Sequence, residues 1–497
     1  MTTTDLPRSR ADLHRPRFHL TPESTWMNDP NGLVLHEGTW HAFFQNNPHG
    51  SLWDNMSWGH AVSTDLATWT ALPVALPCSE QEMIFSGSVV HDAQNVSGLG
   101  TPGGSGPLLA FYTSAYSPDH PEHPGIQAQS IASSTDDGMT WEFYAGNPVL
   151  DRSSANFRDP KVLWHEESGR WVMVAVEATD YALHLFTSQD LLRWEPASVF
   201  RHPSLDGGIW ECPDLVRVHE RRADGTAGRE SWALILSTNP GGPAGGSGTW
   251  TILGDFDGIR FTASAEPQPL DLGPDCYAAV TFSGVDGDPV VLGWMNNWAY
   301  ADRTPTAPWR SAMTLPRTLL LEERPTGLAL VQRLVVPEGL RTIELPPLPG
   351  PLTAAVPTAG TDAASAPSAL GAAAQSLQLP ALDADEPFRL RGTLAADVPH
   401  RLVLRIGADA PARELVIEVG ADGALIVDRS AAHAEPFAAE HSLTAPYVPA
   451  DEQAEIAVDL IVDRSCVELE LDGGRAVVSA QIFPGPGAVT LRSEALD

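Results

Sequence analysis

Apolar and polar positions along this chain alternate in short runs with a period of two, the signature of half-buried strands. Such runs recur at residues 39–45, 108–113, 170–177, 231–238 and 289–296. No stretch before residue 335 sustains a helical period, so the reading is all-β. A weak internal repeat lies over this pattern. Ser63-Thr64-Asp65 is followed by Trp69, Ser134-Thr135-Asp136 by Trp141, and Ser188-Gln189-Asp190 by Trp194. A degenerate copy, Gly254-Asp255-Phe256-Asp257, precedes Phe261. The aspartates recur every 54 to 71 residues. A unit of that size holds four short strands and a turn, which is one propeller blade, and roughly 320 residues then make about five blades.

Near residue 335 the character changes. Residues 341–386 are rich in Pro, Ala, Gly and Ser, as in Leu345-Pro-Pro-Leu-Pro-Gly-Pro351, and read as a linker or a long decorated loop. Strand patterns resume at 388–394, 401–406, 414–419, 424–428, 454–462, 466–471 and 475–482. Seven short strands separated by turns suggest a β-sandwich. The expected organisation is an N-terminal extension (1–17), a five-bladed β-propeller (18–335), a linker or decorated loop (336–387) and a C-terminal β-sandwich (388–497).

Composition narrows the function. At 497 residues the chain exceeds one ordinary core. A net charge of −33 would be repelled by nucleic acid and by anionic membranes, so neither is expected as a partner; a neutral small molecule is. No apolar run approaches the ~18 residues of a membrane span. The first twenty residues hold no apolar signal-peptide core, which predicts a cytoplasmic protein, or a secreted one if its leader is missing. Cys78, Cys212, Cys276 and Cys466 lie far apart with no CxxC pairing, and the sixteen histidines give no HExxH spacing. Neither a zinc site nor a disulfide framework is expected, and no metal or other cofactor.

Three acidic segments carry the candidate chemistry: Trp26-Met-Asn-Asp-Pro-Asn-Gly32, Phe157-Arg-Asp-Pro160 and Trp210-Glu-Cys-Pro-Asp214. Asn, Asp, Pro and Gly in succession read as tight turns. Each places a carboxylate beside a proline and near an aromatic, and this shared setting points to one site built from three places in the chain.

These motifs resemble those of glycoside hydrolase family 32, the invertases, inulinases and levanases. Trp58-Gly-His60, Phe85-Ser-Gly-Ser88 and Gly293-Trp-Met-Asn-Asn-Trp298 match as well, and the stretch from Val462-Asp-Arg-Ser465 to Ile482-Phe-Pro484 is similar to the family's sandwich. The resemblance implies a propeller followed by a sandwich, and hydrolysis of terminal β-D-fructofuranosyl groups of sucrose, fructo-oligosaccharides and fructans. It implies Asp29 as nucleophile, Glu211 as acid/base and Asp159 as a stabiliser of the transition state. Asn28, Gln45, Trp53, Phe85, Ser86, Arg158 and Trp294 would contact the sugar. Asn46 stands where the family usually has Tyr. Glu211 is expected in a dry setting that raises its pKa, with Trp210 and Cys212 as the neighbours that dry it. A retaining pair requires carboxyls ~5–5.5 Å apart, against ~6.5–9.5 Å for inversion. Alternatives are a fructosyltransferase or levanase of the same family, an inverting arabinanase- or xylosidase-like propeller, and a carbohydrate-binding propeller without catalysis. Monomer and homodimer are both compatible with the sequence.

Overall fold

The computed structural model describes residues 10–221, 227–324, 327–346, 375–395, 399–406, 413–420, 424–433, 443–446, 455–485 and 487–495. Among them helix is confined to Arg10–His14 and three short 3-10 turns, and all other regular structure is β. The N-terminal part is made of antiparallel sheets of consecutive strands. Trp26–His36, Thr39–Asn47, Ser57–Ser63 and Thr70–Leu76 form one. Glu82–His91, Leu108–Tyr116, Gln127–Ser134 and Glu142–Phe143 begin a second, and Phe157–His165, Arg170–Glu177, Ala182–Ser188 and Glu195–Phe200 a third. Ten strands follow in two antiparallel groups, one led by Ile209–Arg221 and one by Tyr277–Thr281. A single parallel pairing, Glu220 with Leu321, joins the two groups.

The leading strand of each group lies innermost. Trp26–His36, Glu82–His91, Phe157–His165, Ile209–Arg221 and Tyr277–Thr281 pack each against the next, and the last returns to the first. Hydrogen bonds from Leu35 N to Ser283 O and from Ser283 N to Leu33 O, both 2.9 Å, close the ring. Closure leaves no inner sheet edge exposed, which is how a propeller avoids the edge-strand liability. The Ser/Asp repeat proves to be the connection from third to fourth strand. Asp65 Oδ1 accepts from the backbone N–H groups of Ala67 and Thr68, and Asp190 and Asp257 do the same for the residues two and three positions on. These backbone donors, Thr68 first, pull the Asp65 carboxyl down to about 2.

The C-terminal part is a sandwich of two sheets. One runs Arg341–Glu344, Phe388–Ala395, Glu455–Asp463, Cys466–Leu471, Ala476–Gln481. The other runs Gln375–Asp383, Ala488–Ala495, His400–Ile406, Arg413–Val419, Ala424–Asp428, Leu443–Pro446. Leu390, Leu404, Ile417, Leu460, Leu469 and Leu491 fill the space between them. Two edge strands, Arg341–Glu344 and Gln375–Asp383, fall inside the span 336–387 that composition marked as linker or loop. An edge strand paired on one side tolerates the Pro and Ala within Gln375–Asp383, while Arg341–Glu344 is too short to show an alternation of its own. Residues 347–374 of that span, and residues 1–9 of the expected extension, lie outside the described residues.

Propeller and sandwich are joined through buried charge. Asp463 of the sandwich accepts hydrogen bonds from the backbone N–H groups of Arg17 and Phe18 (both 2.8 Å) and from His19 Nδ1 at 2.9 Å. His19 Nε2 lies 3.4 Å from Glu468 Oε1, and Glu468 Oε2 pairs with Arg317 of the propeller at 2.9 Å. Burial alone would lower the His19 pKa, but the bonds to Asp463 and Glu468 outweigh it and raise it from 6.5 to about 9. Because the folded value is the higher, this contribution is fully present below the unfolded pKa of 6.5 and is lost as pH rises through about 9. Stability should therefore fall across that window by on the order of 3 kcal/mol from this group. His19→Gln should remove that slope from melts recorded between pH 6 and 10; an unchanged slope would refute the assignment.

Candidate active site

The three acidic segments are not the tight turns that their Asn-Asp-Pro-Asn and Glu-Cys-Pro compositions suggest. Each lies inside an innermost strand, where pairing with the second strand slips. The register breaks between Met27 and Pro30 and between Asn31 and Val34, between Arg158 and Lys161, and between Glu211 and Asp214. The other two inner strands break between Phe85 and Gly87 and between Tyr277 and Val280. A β-bulge leaves a residue outside the ladder and re-aims its side chain. It also accommodates Pro30, Pro160 and Pro213, which have no N–H to contribute to a ladder. Asp159 (φ 62°), Cys212 (φ 47°) and Ala278 (φ 53°) occupy the left-handed region at these bulges. Such backbone costs on the order of 1–3 kcal/mol per residue and persists where the surroundings fix it. Gly87 is required: a Cβ there would sit 1.9 Å from Phe111 O.

The bulges bring the acids together around a pocket of about 150 Å³ lined by Asn28, Asp29, Gln45, Trp53, Phe85, Ser86, Arg158, Asp159, Ile209, Glu211, Asn239 and Trp298. Asp29 Oδ2 accepts from Ser86 Oγ at 2.7 Å and faces Cys212 Sγ at 3.5 Å, while Oδ1 has no hydrogen-bond partner among the described residues. Asn31 braces the loop by donating to Asp29 O (2.8 Å) and accepting from Gly87 N (3.0 Å). Asp159 Oδ2 accepts from Cys212 N at 2.9 Å, and Asp159 N donates to Thr113 Oγ1 at 2.9 Å. Glu211 Oε1 accepts from Arg158 Nη2 at 3.1 Å, and its Oε2 accepts from the Tyr277 hydroxyl.

Burial raises the pKa of Glu211, opposed by Arg158 and reinforced by Asp29. Burial likewise raises Asp159, again opposed by Arg158 and reinforced by Glu211 and Asp29. The two carboxyls share the Arg158 guanidinium. The Glu211 side chain is 19% exposed and that of Asp159 5%, so Glu211 is the member able to pass a proton into the pocket.

Six of the expected sugar contacts, Asn28, Gln45, Trp53, Phe85, Ser86 and Arg158, line the pocket. Asn28 Oδ1 is oriented by Trp26 Nε1 (2.7 Å), Gln45 donates to Ile84 O (3.0 Å), and Trp53 meets Phe85 edge to face. Trp294 does not line it. That residue is fully buried on the strand Val290–Met295 and donates to Met27 O at 3.1 Å. Trp298, in the loop beyond, supplies the pocket wall and stacks on Trp26 at 6.0 Å. Trp210 is not what dries Glu211 either: strand alternation turns it into the core, where it donates to Leu205 O at 2.7 Å. Arg158 and Tyr277 surround the acid instead. Tyr277 escaped the sequence reading because no acidic motif marks the fifth inner strand; the expectation that a fifth strand contributes like the other four would have found it. Asn46 pins Trp26 O (2.7 Å) and Thr25 Oγ1 (2.8 Å), a bracing role away from the pocket.

Family models agree with this architecture. The "Glycosyl hydrolases family 32 N-terminal domain" matches residues 19–333, and "Glycosyl hydrolases family 32 C terminal" matches residues 402–495. The chain is 46% identical to a levanase of Bacillus subtilis over 327 residues, an alignment that covers 64% of this chain and 46% of that protein. It is 36% identical to an extracellular exo-inulinase of Aspergillus awamori over 96% of this chain and 91% of that one. The structure of a β-fructofuranosidase from Schwanniomyces occidentalis complexed with fructosyl-erythritol superposes with a TM-score of 0.80 at 28% identity, covering 99% of this chain and 96% of that chain.

The two tryptophans should separate in experiment. Trp294→Phe should lower the melting temperature, by about 1–3 kcal/mol of stability, and leave affinity for free fructose unchanged. Trp298→Ala should weaken fructose binding several-fold with a smaller thermal effect. Calorimetric titration of both variants checks the pair, and the reverse pattern would restore Trp294 as the sugar contact.

Proposed function

Because the chain belongs to glycoside hydrolase family 32, we propose that it is a retaining β-fructofuranosidase acting on terminal fructosyl groups of sucrose and short fructans. The observation that carries this reading is the disposition of the three carboxyls. Asp29, Asp159 and Glu211 all line the one pocket, Glu211 is raised in pKa by burial, and Asp159 is held by a backbone N–H of Cys212. Asp29 attacks the anomeric carbon while Glu211 protonates the departing oxygen. The oxocarbenium-like charge that develops between these events is stabilised by Asp159. Water, activated by the now ionised Glu211, then releases fructose from the covalent intermediate. Arg158, fixed between Gln127 (3.3 Å) and Glu211 (3.1 Å), keeps the acid in place and moderates its pKa.

A pocket of about 150 Å³ suits one terminal sugar better than the interior of a polymer. The named exo-inulinase and β-fructofuranosidase relatives support exo action. Trp53, 43% exposed at the rim, offers its flat face to the C–H side of a carbohydrate. No step uses a metal, so EDTA should leave the rate unchanged; inhibition reversed by added Ca²⁺ would contradict this.

Stereochemistry tests the mechanism. Attack by Asp29 inverts the anomeric centre and attack by water inverts it again, so the first fructose released should be the β-anomer, seen by NMR before mutarotation. Asp29→Ala should cost on the order of 10³-fold or more in kcat. Glu211→Ala should cost ~10²–10⁴-fold on sucrose and less on substrates with good leaving groups. Initial release of the α-anomer would overturn the role of Asp29 and favour an inverting pair.

A further inference from the structure

The acid/base end of the pocket is supported from the other domain. Arg429, fully buried in the sandwich, donates from Nη1 to Asp275 Oδ2 at 2.6 Å and to Gln481 O at 2.9 Å. Its Nη2 donates to the Tyr300 hydroxyl at 2.6 Å. That hydroxyl in turn donates to Asp275 Oδ1 at 2.5 Å. Asp275 and Tyr300 belong to the propeller, and each stands two residues from a pocket element. Two positions after Asp275 comes Tyr277, whose hydroxyl donates to Glu211. Two positions before Tyr300 comes Trp298, a wall of the pocket.

The segment between these points has little freedom to adjust. Propeller residues 271–275 run along the sandwich strand Ala476–Gln481 through bonds from Leu272 N to Val477 O (2.9 Å), Asp275 N to Ser479 O (3.2 Å) and Gln481 N to Asp275 Oδ2 (2.7 Å). Gly273 approaches so closely that a Cβ would meet Ser479 O at 2.1 Å. Asn297 Nδ2 donates to Pro274 O at 2.8 Å and ties the Trp298 loop to the same segment.

We infer that Arg429 of the sandwich is a positioning residue for the active site, holding Tyr277 against the acid Glu211 and the Trp298 loop against the pocket. A planar guanidinium suits the task because it bridges a carboxylate and a hydroxyl in fixed directions, which an ammonium group cannot do. The sandwich thus takes part in the chemistry although none of its described residues lines the pocket.

This rests on Glu211 as the acid, and the experiment separates the two ideas. The quantity to measure is kcat/KM, which reports transfer of fructose to Asp29, on sucrose and on an aryl β-fructofuranoside whose phenolate leaves without protonation. Glu211→Gln should lose activity on sucrose by far more than on the aryl substrate; equal losses would sink the assignment of Glu211 itself. Given that pattern, Tyr277→Phe and Arg429→Met should each lower kcat/KM on sucrose about tenfold and on the aryl substrate less than twofold, with Arg429→Lys intermediate. The control is Arg475→Met, which breaks an equally direct ion pair between the domains, to Glu322 at 2.7 Å, remote from the pocket. It should lower the melting temperature and leave the substrate ratio at the wild-type value. If Arg429→Met fails to fold, Tyr300→Phe, which removes only the shared hydroxyl, carries the same comparison. Equal losses on both substrates, or a ratio matching Arg475→Met, would reduce Arg429 to a structural tie.

Discussion

A side chain in a regular β-strand points squarely to one face of its sheet or the other, and in a propeller both faces of the inner strands are packed against neighbouring sheets. Acids on such strands would be driven into apolar cores, not toward the axis. The site depends on escaping that constraint, and every inner strand escapes it in the same way, by a bulge at the level of the pocket. The left-handed backbone at Asp159, Cys212 and Ala278 is unfavourable in isolation. It is held by bonds between neighbouring strands, such as Cys212 N to Asp159, Ala278 N to Ser237 Oγ and Asp159 N to Thr113 Oγ1, each 2.9 Å. Each strained residue is thus fixed by another sheet, so the ring must close before the site exists.

Crowding acids at one point creates a second problem, which the fold answers with buried cations. Arg158 faces Glu211 and Asp159 in the pocket. Below them Lys161, the only lysine of the sequence, donates to Asp214 at 2.8 Å and to Thr281 O at 2.7 Å, linking three inner strands around the axis. Breaking such a buried pair on one side would leave an uncompensated charge, which costs far more than an exposed pair contributes. In a chain of net charge −33, these few interior cations are concentrated where carboxylates could not otherwise remain buried and close together.

Much of this was legible in the sequence because it is carried by local patterns. The alternation gave the strands, the Ser/Asp repeat marked the turn of successive sheets, and the three acidic motifs named the residues that the structure brings to one pocket. The misreadings share one cause, which is that residue type reports local preference while tertiary pairing decides the outcome. Asp29-Pro30-Asn31 prefers a turn, yet pairing to Thr39–Asn47 keeps it in a strand with bulges. Trp294 and Trp298 are equivalent in composition, and only the end of the strand at Met295 puts one in the core and the other at the pocket. Arg341–Glu344 carries no strong alternation; it becomes a strand because Phe388–Ala395 lies beside it. Tyr277 and Arg429 were invisible because their partners, Glu211 and Asp275, lie 66 and 154 residues away.

The division of labour between the two domains follows from the same long-range contacts. A propeller closed only through its own sheets would still leave the segment leading into Tyr277–Thr281 free to shift, since that strand pairs with Val290–Met295 at few positions and through a bulge. The sandwich removes this freedom by supplying Ala476–Gln481 as a neighbour for residues 271–275 and Arg429 as a cross-brace. Reciprocally, Arg317 of the propeller is enclosed by Glu468 and Ser479 of the sandwich. Arg429 of the sandwich is thus paired by Asp275 of the propeller, while Arg317 of the propeller is paired from both sides, by Glu468 of the sandwich and by Asp271 of its own domain at 2.8 Å. Neither half satisfies its own interior alone, so the geometry of the acid and the cohesion of the two domains rest on one set of bonds.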